Sequence, residues 1–122
     1  MKPEVFGVEL KRFESPDEVR TFQQGRLEIV RIGALVIGRA SYEPGWKWSE
    51  HVGPVVGAEW CEVEHVGTVL STDATCAFQH GPIVELNAGS RFWIPPVAHD
   101  SWVVGEDPYV SLYFMGSEEY AR

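Results

Sequence analysis

The feature that most constrains this chain is its punctuation. From residue 26 onward, short runs rich in Val, Ile, Tyr, Phe and Trp alternate with clusters of Gly, Pro, Asn and Asp. The runs are "RLEIVRIG", "ALVIGRASYEPG", "WKWSEHVG", "VGTVLS", "TCAFQHG", "PIVELNAGS", "RFWIPP", "DSWVVGEDP" and "YVSLYFMG". Each has the length of a β-strand, and each is closed by residues that turn the backbone. With 12 Gly and 8 Pro spread along 122 residues, long helices have no room, and the pattern predicts an all-β sandwich or barrel.

One segment carries the signals of a helix start. In "ESPDEVRTF", Ser15 stands as N-cap, Pro16 at the first helical position and Glu18 as the returning carboxylate of a capping box, which predicts one short N-terminal helix. The length suits a single domain over 1–122, with 1–40 supplying N-terminal strands and the helix, and 41–116 the core barrel. A hydrophobic content of 44% is that of a globular chain rather than a disordered one. No repeat or linker marks a second domain.

A formal charge of −8 repels nucleic-acid backbones and anionic membranes, so neither is expected as a partner. The opening "MKPEVFGVELKRFESP" lacks the apolar stretch of a signal peptide, and no run is long enough to span a bilayer. A cytoplasmic location is therefore the expectation. Two cysteines, Cys61 and Cys76, make no disulfide framework, and a single bond between them stays open at this level.

Chemistry concentrates in "HVGPVVGAEWCEVEH", where His51 and His65 bracket a loop and Cys61 precedes His65 by four residues. Alternation through "EPGWKWSEHV" places Lys47, Ser49 and His51 on one strand face and Trp46, Trp48 and Glu50 on the other. His51 then stands at a strand end. Further on, "NAGSRFWIPPVAHDSWVVGEDP" reads as a Gly turn, a short strand, a Pro-Pro stop and a second strand opening at His99, a histidine well placed to point into a barrel.

These stretches resemble the motifs of the cupin family. "GSRFWIPPVAH" is similar to the second cupin motif, with Gly89 and Pro95 at the usual separation, His99 one residue early, Val97 where Gly is usual, and Asp100 as the competing ligand. "PGWKWSEH" resembles the opening of the first motif. There His51 keeps its distance from the Pro-Gly turn, Gly53 occupies the second His position, His65 falls where the motif has Glu, and Thr72 replaces the final Gly. The likeness runs from "EPGW" to "YFMG". It implies a cupin double-stranded β-helix, a jelly-roll barrel, commonly a homodimer, holding one divalent transition metal. The implied ligands are His51, His65 and His99, with Cys61 as a possible fourth.

Three neutral imidazoles at strand mouths leave coordination positions open, whereas a thiolate from Cys61 would favour Zn2+ and a more closed site. Zn2+ and Fe2+ lead the expected metals, with Ni2+ and Mn2+ behind. Two functions follow. One is a mononuclear metalloenzyme acting on a small molecule, with a ligand set like that of cupin thiol and diketone dioxygenases and with Glu50 and Glu59 as candidate acid or base. The other is a non-catalytic metallo-cupin that binds a small ligand as a sensor or storage module.

Each candidate also has a plainer role. His51 and His65 can form a hydrogen-bonded pair without metal, Cys61 can be a small buried hydrophobe, and Glu50 and Glu59 can be exposed loop carboxylates. His80 in "FQHGP" suits a solvated turn and Cys76 a core position. Most of Trp46, Trp48, Phe92, Trp93 and Trp102 are expected in the core, one or two of them lining a pocket. The segment "VFGVEL" is expected to add a strand to a partner and cover an exposed sheet edge, consistent with a homodimer.

Overall fold

The computed structural model describes residues 7–120. Nine strands form the body: β1 (Glu18–Phe22), β2 (Gly25–Ile32), β3 (Leu35–Tyr42), β4 (His65–Ser71), β5 (Asp73–Phe78), β6 (Ile83–Leu86), β7 (Arg91–Ile94), β8 (His99–Val104) and β9 (Tyr109–Met115). They make a six-stranded sheet in the order β1-β2-β3-β9-β4-β7 and a three-stranded sheet in the order β6-β5-β8. All pairings are antiparallel.

The period of two in the sequence becomes an inner and an outer face. In β9, Tyr109, Ser111 and Tyr113 are buried, while Val110 and Leu112 between them are half-exposed. In β4 the buried set is His65, Gly67 and Val69. Gly67 has a steric reason to be glycine: a β-carbon there would run into the Leu112 carbonyl and the Phe92 ring, where β4 passes β9 through a bulge. The core is strongly aromatic. Tyr42 stacks on Trp46 at 3.8 Å and on Tyr109 at 5.6 Å, and the Tyr42 hydroxyl donates to that of Tyr120 at 2.7 Å.

The predicted N-terminal helix is not there. Residues 13–15 form a turn and β1 follows, paired with β2 from Glu18↔Ile29 to Phe22↔Gly25. The cap signals were local, and the tertiary pairing outweighs them. Asp17 donates its backbone N–H to the Ile29 carbonyl, and its carboxylate accepts the Arg31 N–H at 2.7 Å, which fixes the start of β1 on β2. Val19, Thr21 and Phe22 also suit a strand better than a helix. Of "VFGVEL", residues 5–6 lie outside the described residues and 7–10 make no strand; Val8 and Leu10 are exposed.

"WKWSEHVG", predicted as a strand, instead forms two helical turns, α1 (Trp48–His51) and α2 (Gly53–Val56). The alternating faces assigned to Lys47, Ser49 and His51 therefore do not exist, and burial follows helical spacing, with Trp48, His51 and Val52 inside. Two features favour the helical path. The Asp100 carboxylate accepts from the Ser49 N–H at 3.0 Å and the Ser49 hydroxyl at 2.7 Å, capping the first turn from across the barrel. Pro54 opens the second turn and Gly57, at φ 74°, ends it.

After β9 residues 117–120 form a turn, and Arg20 holds it. Arg20 Nη1 donates to the carbonyls of Ser117, Glu118 and Tyr120 at 2.8, 2.9 and 2.8 Å, while Nε donates to Glu18 at 2.6 Å. Together with Arg31, Arg20 holds the Glu18 carboxyl down to about 2. Because an Arg20→Ala change strands several acceptors at once, it should cost about 2–4 kcal/mol. A urea titration would read this as a lower midpoint at constant slope, and a loss below about 0.5 kcal/mol would show that the turn does not depend on the guanidinium.

Candidate metal centre

His65 opens β4 on its inner face, and His99 opens β8. Between α2 and β4 the chain touches β8 at one point, an antiparallel bridge in which Cys61 N–H donates to the His99 carbonyl and His99 N–H to that of Cys61, each at 2.9 Å. The result is a compact donor set. One ligand atom from each of Cys61, His65 and His99 lies within 4.8 Å of the others, and all three residues are buried. Cys61 Sγ is 3.7 Å from His65 Nε2. A tetrahedral zinc with ordinary bond lengths holds its sulfur and nitrogen ligands about 3.6 Å apart, so this separation suits a shared ion.

The protonation states fit as well. Burial, reinforced by His99, pushes the His65 imidazole down to about 3, so it is neutral at pH 7. Burial also lowers His99. Its Nδ1 lies 2.8 Å from the Val97 carbonyl, to which it donates, leaving the Nε2 lone pair for a ligand. Burial raises the Cys61 thiol to about 11, against a hydrogen bond from the Val63 backbone that lowers it. Without a cation the sulfur therefore keeps its proton, and a bound metal would displace it. His65 Nδ1 is buried without a partner among the described residues, and packing orients this ring: Tyr113 lies at 5.0 Å, Tyr120 at 5.4 Å, and Gly116 sits where a β-carbon would strike Nδ1.

The other candidates lie elsewhere. His51 is buried but outside this cluster. Its Nδ1 takes the Lys47 backbone N–H at 2.9 Å and its Nε2 is 3.3 Å from the Gln24 amide, so it ties α1 to the β1–β2 hairpin. The helical path explains this, since it turns His51 back toward its own first turn. Asp100 caps α1 and lies outside the donor set. Glu50 and Glu59 are exposed and line separate surface hollows, away from the cavity at the three donors. His80 is exposed, Cys76 is buried, and the two cysteines are free thiols. Trp46 and Trp48 are in the core, whereas Trp93 is mostly exposed.

Sequence reasoning missed the tyrosines. Tyr42, Tyr113 and Tyr120 share an inner cavity of only about 20 Å³ with Cys61, His65 and His99. Alternation in "YVSLYFMG" points Tyr113 inward, but nothing in the sequence signals that Tyr120 folds back. On the other side of Cys61 lies an open groove of about 540 Å³, walled in part by Trp48, Glu62, Glu64 and Glu119.

No protein-family signature matches this chain, and no curated protein does. Solved structures do match. A Lactobacillus farciminis oxalate decarboxylase, in a formate complex, superposes with a TM-score of 0.59 at 16% identity over 84% of this chain. This chain spans 32% of that enzyme's length. A Rhizobium leguminosarum protein of unknown function matches with a TM-score of 0.56 and 21% identity, covering 93% of this chain and 95% of that one. A DUF1255 protein of unknown function from Acidithiobacillus ferrooxidans matches with 0.58 and 18%, covering 80% of this chain and 86% of its own. The protein has the all-β cupin fold, and identities this low carry the fold and nothing finer. Among the described residues no helix is long and apolar enough to cross a membrane.

The depressed His65 value gives a pH prediction for the metal-free protein. The unfolded chain takes up this proton near 6.5 and the folded chain only near 3, so the contribution to stability is complete above pH 6.5 and is lost as pH falls toward 3. Urea midpoints should fall across that window, and a His65→Gln variant should show a shallower fall. Identical slopes would mean that His65 is not held neutral by burial.

Proposed function

We propose that this protein is a metal-binding cupin that holds one divalent transition metal through Cys61, His65 and His99, as a binding module rather than a turnover enzyme. The observation that carries this reading is the buried cluster of one sulfur and two nitrogen donors. A thiolate with two neutral imidazoles favours Zn2+ among the expected metals. The inner cavity of about 20 Å³ supports the non-catalytic role, because it has room for a water beside the donors and none for an organic substrate. A reduced Cys61 suits a cytoplasmic setting, and a homodimer closing the exposed edges of the sheets suits the fold.

A metalloenzyme is the second reading. It is favoured by the count of three protein ligands, which leaves a coordination position free, as catalytic zinc sites do. A small anion such as azide would shift the visible spectrum of the cobalt protein if that position is reachable.

Elemental analysis after purification without chelator or affinity metal should give close to one metal per chain. Cobalt substitution should add a near-ultraviolet sulfur-to-metal band that Cys61→Ser abolishes. His65→Ala and His99→Ala should weaken binding by tenfold or more, while His51→Asn should keep full occupancy. Absence of metal together with no uptake of Zn2+, Fe2+, Ni2+ or Mn2+ would overturn the proposal.

A further inference from the structure

The three donors are buried, so a cation has to reach them by some path. The inner side offers little. Its cavity is about 20 Å³ and is packed by Tyr42, Tyr113 and Tyr120, the first and last joined by a 2.7 Å hydrogen bond. Cys61 is the one donor of the three that also lines the outer groove, so the groove meets the donor set at this residue.

The groove has a definite chemical character. Its carboxylates are Glu62, Glu64 and Glu119, and no Lys, Arg or His lines it. Glu62 and Glu119 are exposed at its rim, whereas Glu64 is half-buried and oriented, its Oε2 accepting the Trp93 indole N–H at 2.9 Å. Trp48, only 4% exposed, lines both the groove and the inner cavity, and its indole N–H has no partner among the described residues.

We propose that the groove walled by Glu62, Glu64 and Glu119 is the access route for the metal, with these carboxylates capturing a hydrated divalent transition-metal cation and passing it to Cys61. This rests on the metal-binding reading above and adds how the site is loaded. A cleft lined by one sign of charge concentrates the opposite ion and raises its association rate, an effect that salt screens. On transfer the Cys61 S–H bond breaks as the sulfur-to-metal bond forms, and the proton leaves to water in the groove. Charge balances across the step: a dication and a neutral thiol give a metal–thiolate unit of charge +1 and one released proton, so the site itself gains one positive charge.

The test is stopped-flow mixing of metal-free protein with Co2+ at low ionic strength, following the near-ultraviolet thiolate band. The groove variant carries Glu62→Gln, Glu64→Gln and Glu119→Gln. The control carries Glu43→Gln, Glu85→Gln and Glu106→Gln, three exposed carboxylates that do not line the groove, for the same change in net charge. The groove variant should load about tenfold or more slowly and lose most of its salt dependence. The control should slow less than about twofold by the same reasoning. Both should reach the wild-type final absorbance. Equal rates for wild type and groove variant, or equal slowing in the control, would overturn the route while leaving the metal centre standing. Should the triple variant fold poorly by circular dichroism, single Glu62→Gln and Glu119→Gln variants serve in its place, and wild-type rates in both would overturn the route. A wild-type protein that takes up no cobalt would overturn the metal centre itself and the route with it.

Discussion

Two backbone hydrogen bonds, exchanged between Cys61 and His99 at 2.9 Å each, hold the centre of this structure together. They fasten the loop after α2 to the first residue of β8, and so bring a thiol from one part of the chain against an imidazole from another. His65 follows four residues later at the start of β4, where pairing with β7 and β9 fixes its inward direction. Asp100, next to His99, caps α1 through Ser49 and holds the helical turns over the same end of the barrel. Neighbouring residues of one strand thus serve the two purposes, His99 inward to the donors and Asp100 toward α1.

The interior around the donors is tightly packed and aromatic. Burial that costs a charged imidazole its proton also keeps His65 and His99 in the form that can donate a lone pair. The same burial holds Cys61 as a thiol, so the site stores no unpaired charge until a cation arrives. Arg20 completes the enclosure at a distance, because its grip on the carbonyls of 117, 118 and 120 keeps the Tyr120 ring inside.

Much of this was legible in the sequence. Strand-length runs such as "YVSLYFMG" and "TCAFQHG" fold as read, because alternation and turn residues agree with the pairing they receive. The misreadings have two physical causes. Ser15, Pro16 and Glu18 form a sound local helix signal, but Asp17 and Arg31 commit that segment to β2 through contacts no local signal contains. In "WKWSEH", aromatic and polar residues fit a period of two and a helical turn equally well, and the deciding contact, Ser49 to Asp100, spans 51 residues of sequence. His51 therefore lies in α1 and not at a strand end. Of the histidines singled out in the sequence, His65 and His99 come together, and the residue beside them is Cys61, whose spacing of four from His65 was visible but not decisive.

The most direct test of the account is X-ray absorption at the edge of the bound metal in wild-type protein. The account predicts a first shell of one sulfur near 2.3 Å and two imidazole nitrogens near 2.0–2.1 Å, with one further light atom if water fills the remaining position. A shell of nitrogen and oxygen alone, with no sulfur, would remove Cys61 from the centre and contradict it.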